Sequence, residues 1–280
     1  MSKKVATGSW IAAIVVLLAV VVAGVFLARK AIHPDQPVVA VPATTATVAT
    51  NTANVPVQHP IAQAQVPAAS ASTVALPALD QSDDEVASAL QQLTGSSQLS
   101  LLLVRPQIIA RIVATIDAMP GRSLGGLMLP ARTPKGAFVT RDADGNTVIG
   151  EDNAARYAPY MAIVEQVDPQ ALVAWYVHAY PLFQQAYRQL GYPKGYFNDR
   201  LIVVIDNLLA APEPVTPPAL RRSNGHFIYA DPGLEALSAG QRLLLRTGPA
   251  NEASIKAKLR AIRTLLAGQH LRPASAGTAK

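Results

Sequence analysis

The chain has 280 residues, no Cys and a formal excess of six positive charges, which excludes disulfides, thiolate metal sites, a Cys nucleophile and lipidation on Cys. The charge is uneven: residues 1–30 carry four Lys/Arg and no acid, residues 241–280 carry eight against one Glu, and residues 31–240 are net acidic by five. A basic patch on a folded domain is thus confined to the C-terminal end, and nucleic acid is not an expected partner.

Trp10 to Ala28 is a run of 19 residues without a charge or a Pro. At 1.5 Å per residue it matches a hydrocarbon layer of about 30 Å. A cleaved signal peptide has a shorter apolar region ending at small residues, whereas this run ends in Arg29-Lys30, so residues 1–30 read as an uncleaved transmembrane anchor. From Gln36 to Leu79 there is no Asp, Glu, Lys or Arg, only an Ala/Pro/Thr/Val-rich stretch with a lone His59. Residues 31–79 therefore read as a disordered linker, on the order of 150 Å when extended. The lack of Lys/Arg makes this side the easier one to translocate, which places the following domain outside the cytoplasm.

Residues 80–270 carry the folding signals, and residues 271–280 read as a disordered tail. Ser82-Asp83-Asp84-Glu85 has the form of a capping box ahead of Val86, Leu90 and Leu93. Arg105-Pro106 opens a second helix with Ile108, Ile109, Ile112, Val113 and Ile116 on one side. Residues 120–136 form a Gly/Pro loop in which Lys135-Gly136 has the wrong order for a phosphate cradle. Asp144-Gly145 sits between two β-prone runs, the strongest short hairpin signal. The same residues fail as a calcium loop, because Gly145 arrives too early and Asn153 occupies the twelfth position.

Asp152 is read as the cap of a helix carrying Arg156-Tyr157-Ala158-Pro159-Tyr160. Asp168-Pro169 then starts a long helix whose Leu172, Tyr176, Tyr180, Phe183, Tyr187 and Leu190 share one face, with Gly191 and Pro193 as its stop. That helix reads as the centre of the core. Asn198-Asp199 caps the next, where Leu201 to Ile205 is apolar nearly all round and reads as deeply buried. Asn224-Gly225 marks a second turn, Asp231-Pro232 another helix start, and Asn251 the cap of a last helix with Ile255, Leu259, Ile262 and Leu266 inward. The fold class expected is mainly α: a helical domain with one or two short β-hairpins, preceded by a single transmembrane helix and a disordered linker.

No catalytic, metal or cofactor-binding residue is assigned. His178 has no second His or acid at helical spacing for a zinc pair or a triad base. Asp199 and Asp206 are seven apart on one helix, about 10 Å along its axis, and read as ion-paired or solvated. The candidates for partner binding are Tyr192, which lies beyond the Gly191 stop, Arg156, and the basic flank Lys256, Arg260 and Arg263. That flank reads as a solvated helix face able to meet an anionic lipid or polymer.

The C-terminal half resembles a bacterial family called domain of unknown function 3014. The strings that carry the likeness are Arg156-Tyr157-x-Pro159-Tyr160, Pro181-Leu182 with Ala186-Tyr187-x2-Leu190-Gly191-Tyr192-Pro193, Phe197-Asn198-x-Arg200-Leu201, Ile205-Asp206, Tyr229-Ala230-Asp231-x2-Leu234-Glu235, and Leu243-Leu244-Leu245-Arg246-x-Gly248-Pro249-x-Asn251. Arg242 and Thr247 stand where that pattern would have Lys and Met. The resemblance spans roughly 80–267 and implies an amino-terminal membrane anchor and an envelope-facing domain, with no activity. The expectation is a single-pass inner-membrane protein whose periplasmic helical domain is a binding or scaffold module for an envelope protein or polymer. The alternative is an envelope enzyme whose active site the sequence does not locate.

Overall fold

The computed structural model describes residues 56–66, 75–96, 98–124 and 129–268. Among these no helix is long and apolar enough to cross a membrane, and the run Trp10–Ala28 and the tail 271–280 lie outside them. The helices are α1 (Asp83–Thr94), α2 (Gln98–Leu102), α3 (Ile108–Ala118), α4 (Asp152–Ala155), α5 (Ala158–Gln166), α6 (Pro169–Gln189), α7 (Phe197–Leu209), α8 (Pro232–Glu235), α9 (Ala239–Thr247) and α10 (Pro249–Ala267). Two antiparallel hairpins complete the set: β1 (Thr140–Ala143) with β2 (Asn146–Ile149), and β3 (Leu220–Ser223) with β4 (His226–Tyr229). The fold is mainly helical with two short hairpins.

Each hairpin closes on two residues with positive φ, Asp144-Gly145 and Asn224-Gly225. That geometry matches the strand twist and favours Asx-Gly. A single bridge between Val148 and Ala219 sets the two hairpins side by side.

The long aromatic helix α6 is the centre of the core. Asp168 caps it by accepting from the Ala171 N–H. Leu172, Tyr176, Tyr180, Phe183 and Tyr187 are all buried, and α3, α7 and α10 pack around the helix. Burial extends to Val173, Trp175, Leu182 and Ala186, so the helix is enclosed on more than the one face its sequence advertised. Leu190 departs from the stripe: it is the C-cap residue and is exposed. Buried Gln184 fastens the turn that follows, accepting from Tyr180 Oη at 2.7 Å and Phe197 N at 2.9 Å while donating to Gly195 O at 2.7 Å. Three of the four amide hydrogen-bonding capacities are thereby used, as a buried polar group requires.

Several expected caps act on other elements. Ser82 Oγ donates to Leu79 O and does not cap α1, while the Asp83 carboxylate accepts from Gln107 N and Ile108 N and so caps α3. Asp152 lies inside α4, after Glu151. Tyr196, not Asn198-Asp199, is the N-cap residue of α7. Asn251 lies in the first turn of α10, where Nδ2 donates back to Thr247 O and Ala154 O. Asp231 caps α8 as expected, and Ser238 with Gln241 forms a capping box on α9. In α7, Leu201, Ile202, Val204 and Ile205 are buried, but Val203 faces solvent.

The linker expectation for 31–79 is corrected at its C-terminal part. Residues 56–66 lie on the domain, held through Asn198, Asp199 and Tyr196, with Ile61, Ala64 and Val66 against the core. Composition counts charge and apolar content, but docking here runs mainly through backbone N–H and C=O groups, which every sequence possesses. Residues 31–55 and 67–74 lie outside the described residues.

Burial raises the tyrosine pKa values: upward for Tyr157, Tyr176 and Tyr180, and to about 12 for Tyr160 and Tyr229. Between pH 10 and 12 the unfolded chain releases the Tyr160 and Tyr229 protons and the folded chain keeps them, so stability falls with rising pH at about 1.4 kcal/mol per unit for each of these two at most. Absorbance at 295 nm and circular dichroism should therefore change together in one alkaline transition. A smooth tyrosinate titration near pH 10 with the fold intact would show these rings to be solvated.

Candidate functional site

A cleft of about 450 Å³ opens between the first hairpin, the proline-rich segment 213–218 and the start of α10. Ile149, Gly150, Pro214, Val215, Pro217, Pro218, Leu245 and Pro249 give it mainly apolar walls. The segment 213–218 stands as a wall because its three prolines are fixed in φ and lack N–H groups that would otherwise seek partners.

The floor is organised by Lys256, which is 1% exposed. Its Nζ donates to Ala211 O at 2.6 Å and lies 2.8 Å from both Glu213 Oε1 and Glu252 Oε1. Two ammonium protons are donated, to Ala211 O and Glu213 Oε1, while Glu252 meets the charge as an ion pair, and the Ala211 carbonyl just past the C-terminus of α7 gains the cation that position favours. Burial raises the Glu252 carboxyl above the ordinary range, with Lys256 opposing. The Lys256 hydrogen bond and charge hold Glu213, on the exposed wall, below it.

The other charges lining the cleft are also engaged. Arg141 lies 3.9 Å from Glu151. Arg246 donates from Nη2 to Phe227 O and lies over the rings of Phe138 and Tyr229, 6.0 and 5.6 Å from their centroids. Three cations and three carboxylates line or underlie the cleft, so it carries no net charge. No group of His, Asp and Glu among the described residues is arranged to hold a metal ion.

The partner-binding candidates read from the sequence do not converge. Lys256 is corrected outright: it faces inward. Helical periodicity placed it on the flank of α10, but the neighbouring end of α7 and the segment after it cover that flank. Arg263 forms an ion pair with Asp206, and Arg260 is exposed, so the three do not assemble a basic face. Arg156 is structural. It donates to Lys135 O, Gly136 O and Asn153 Oδ1, pinning the loop before the first hairpin.

Tyr192 is 41% exposed beyond the end of α6, as its place after Gly191 suggested. It is also anchored: its ring stacks on Tyr187 at 4.6 Å and its hydroxyl donates to Asp117. Asp117 in turn pairs with Arg200 at 2.7 Å. This cluster ties α3, α6 and α7 together.

The cleft residues Glu213, Arg246 and Glu252 were missed because the segments that bring them together are distant in sequence. The one local signal was the spacing of Glu252 and Lys256, which fits an i,i+4 ion pair.

No curated protein and no solved structure matches the chain. A family profile described as "Protein of unknown function (DUF3014)" matches residues 108–263, from the start of α3 to the last turns of α10, and includes the cleft, the Lys256 triad and the Tyr192 cluster. That match covers more than half of the chain, and the chain belongs to the DUF3014 family.

Proposed function

We propose that the protein is a single-pass inner-membrane protein of a bacterium that presents this domain to the periplasm as a binding module, and that the cleft receives an extended, mainly apolar segment of an envelope protein. The apolar run Trp10–Ala28 and the uncharged stretch after it support the anchor and its direction. One observation carries the binding reading: an open cleft of ligand size in which every ionisable lining group already has a partner. An envelope enzyme would need a free acid or base facing the cleft, and Glu252 is held by Lys256 instead. An anionic polymer or lipid fits less well, since Lys256 is buried and Arg263 neutralised.

A photoreactive residue at Val215, fully exposed on the proline wall, should capture a discrete partner in intact cells. The same residue at exposed Arg188, on α6, should not. Protease added to spheroplasts of that strain should remove the domain. Identical adducts from both positions would sink the cleft assignment, and protection until the inner membrane is broken would reverse the topology.

A further inference from the structure

We infer that docking of residues 57–66 turns the cleft away from the membrane, so that the partner is met on the membrane-distal side of the domain. This rests on the anchor reading above.

The docked segment is held along its backbone. Asp199 accepts from Gln58 N at 3.0 Å and from His59 N at 2.6 Å, Asn198 Nδ2 donates to His59 O at 2.8 Å, and Tyr196 Oη accepts from Ile61 N at 2.7 Å. Farther on, Gln65 N donates to Leu265 O at 2.8 Å. Gly268 makes room for it: this residue has φ 67°, and a Cβ there would lie 2.6 Å from Gln63 O. The segment therefore clasps the first turn of α7 and the last turn of α10 together.

Those two helix ends lie opposite the cleft. Asp206 pairs with Arg263, while Ala211 and Glu213 pair with Lys256. Moving seven residues forward from 206 to 213 thus moves seven back along α10, so the helices run antiparallel. One end of the pair carries the clasp, and the other carries Glu213, Pro249 and the cleft. The 13 residues of α7 separate the two ends by about 20 Å.

Docking also shortens the leash. Only residues 31–55 remain between the anchor and the clasp, about 75 Å when extended against about 150 Å for 31–79. A chain pulled or held from Pro56 presents the clasped end to the membrane first.

The natural absence of Cys permits single labels. The full chain, carrying a donor dye on Val57→Cys or Val215→Cys, is reconstituted in vesicles with an acceptor lipid. Transfer from position 57 should exceed that from 215 at least twofold. Ile61→Asp, acting from the segment, and Gly268→Leu, acting from the domain, should each release the clasp and bring the two values together. Equal transfer in the native chain, or a difference that both variants leave unchanged, overturns the orientation. No transfer from either position sinks the anchor reading, and the inference falls with it. Hydrogen exchange on the full chain in detergent isolates the clasp itself. Amides of Gln58, His59, Ile61 and Gln65 should be protected at least tenfold over a free peptide, and free-peptide rates there would overturn the inference while leaving the anchor reading untouched.

Discussion

Truncation of Tyr176 to Ala should lower the unfolding free energy by about 3–5 kcal/mol, the range for emptying a large buried aromatic site. Its ring is 1% exposed and meets Tyr180 at 5.7 Å, Phe183 at 5.2 Å and Phe197 at 6.4 Å, joining α6 to α7. Tyr176→Phe separates packing from polarity. The buried hydroxyl has no hydrogen-bond partner among the described residues, so its removal should leave stability within about 1 kcal/mol of native. Tyr192→Ala should cost about 1 kcal/mol, because a half-exposed ring loses one stacking contact and one hydrogen bond to Asp117. Urea midpoints give all three values. Similar, small shifts for Tyr176→Ala and Tyr192→Ala would remove α6 from the centre of the core.

Replacing Lys256 by Met should cost about 3–5 kcal/mol at neutral pH, because it leaves Glu252 buried and unpaired. Adding Glu252→Leu should restore most of that loss, since an apolar pair of similar volume replaces an ion pair whose desolvation offsets much of its attraction. The single variant should also respond to pH. Burial already raises the Glu252 carboxyl and Lys256 opposes the rise; without the lysine it climbs further. A folded-state value above the unfolded one means the folded chain binds the extra proton, so the deficit of Lys256→Met shrinks as pH falls through that raised value. A single variant within about 1 kcal/mol of native at neutral pH would show that water reaches Nζ.

What the sequence made legible was what repeats along one element. The α6 stripe, the inward face of α10 and the two Asx-Gly turns follow from periods of 3.6 and from φ preferences, and the structure has them. What it hid depends on neighbours. Asp83 looks like the first-turn acid of its own helix and caps another 24 residues on. Lys256 lies on a polar flank by periodicity and is enclosed by a segment 43 residues earlier. Asn198 and Asp199 carry the signature of a cap and instead grip backbone about 140 residues upstream. In each case a partner distant in sequence decides where the side chain points, even for Lys256, which also has Glu252 one turn away. The cleft is the extreme case, since its walls come from stretches that share no pattern.

The exchange of caps between elements bears on where the independent folding unit begins. The family match starts at residue 108, the first residue of α3. The N–H groups at that helix start are satisfied by Asp83, and Val86, Leu90 and Leu93 of α1 belong to the same core as α6. A fragment cut at the family boundary would expose that apolar surface and leave α3 with a frayed start. The shortest stretch able to fold alone therefore reaches back past Asp83, and recombinant fragments that begin at the conserved-profile edge are expected to aggregate where those starting near residue 56 stay dispersed.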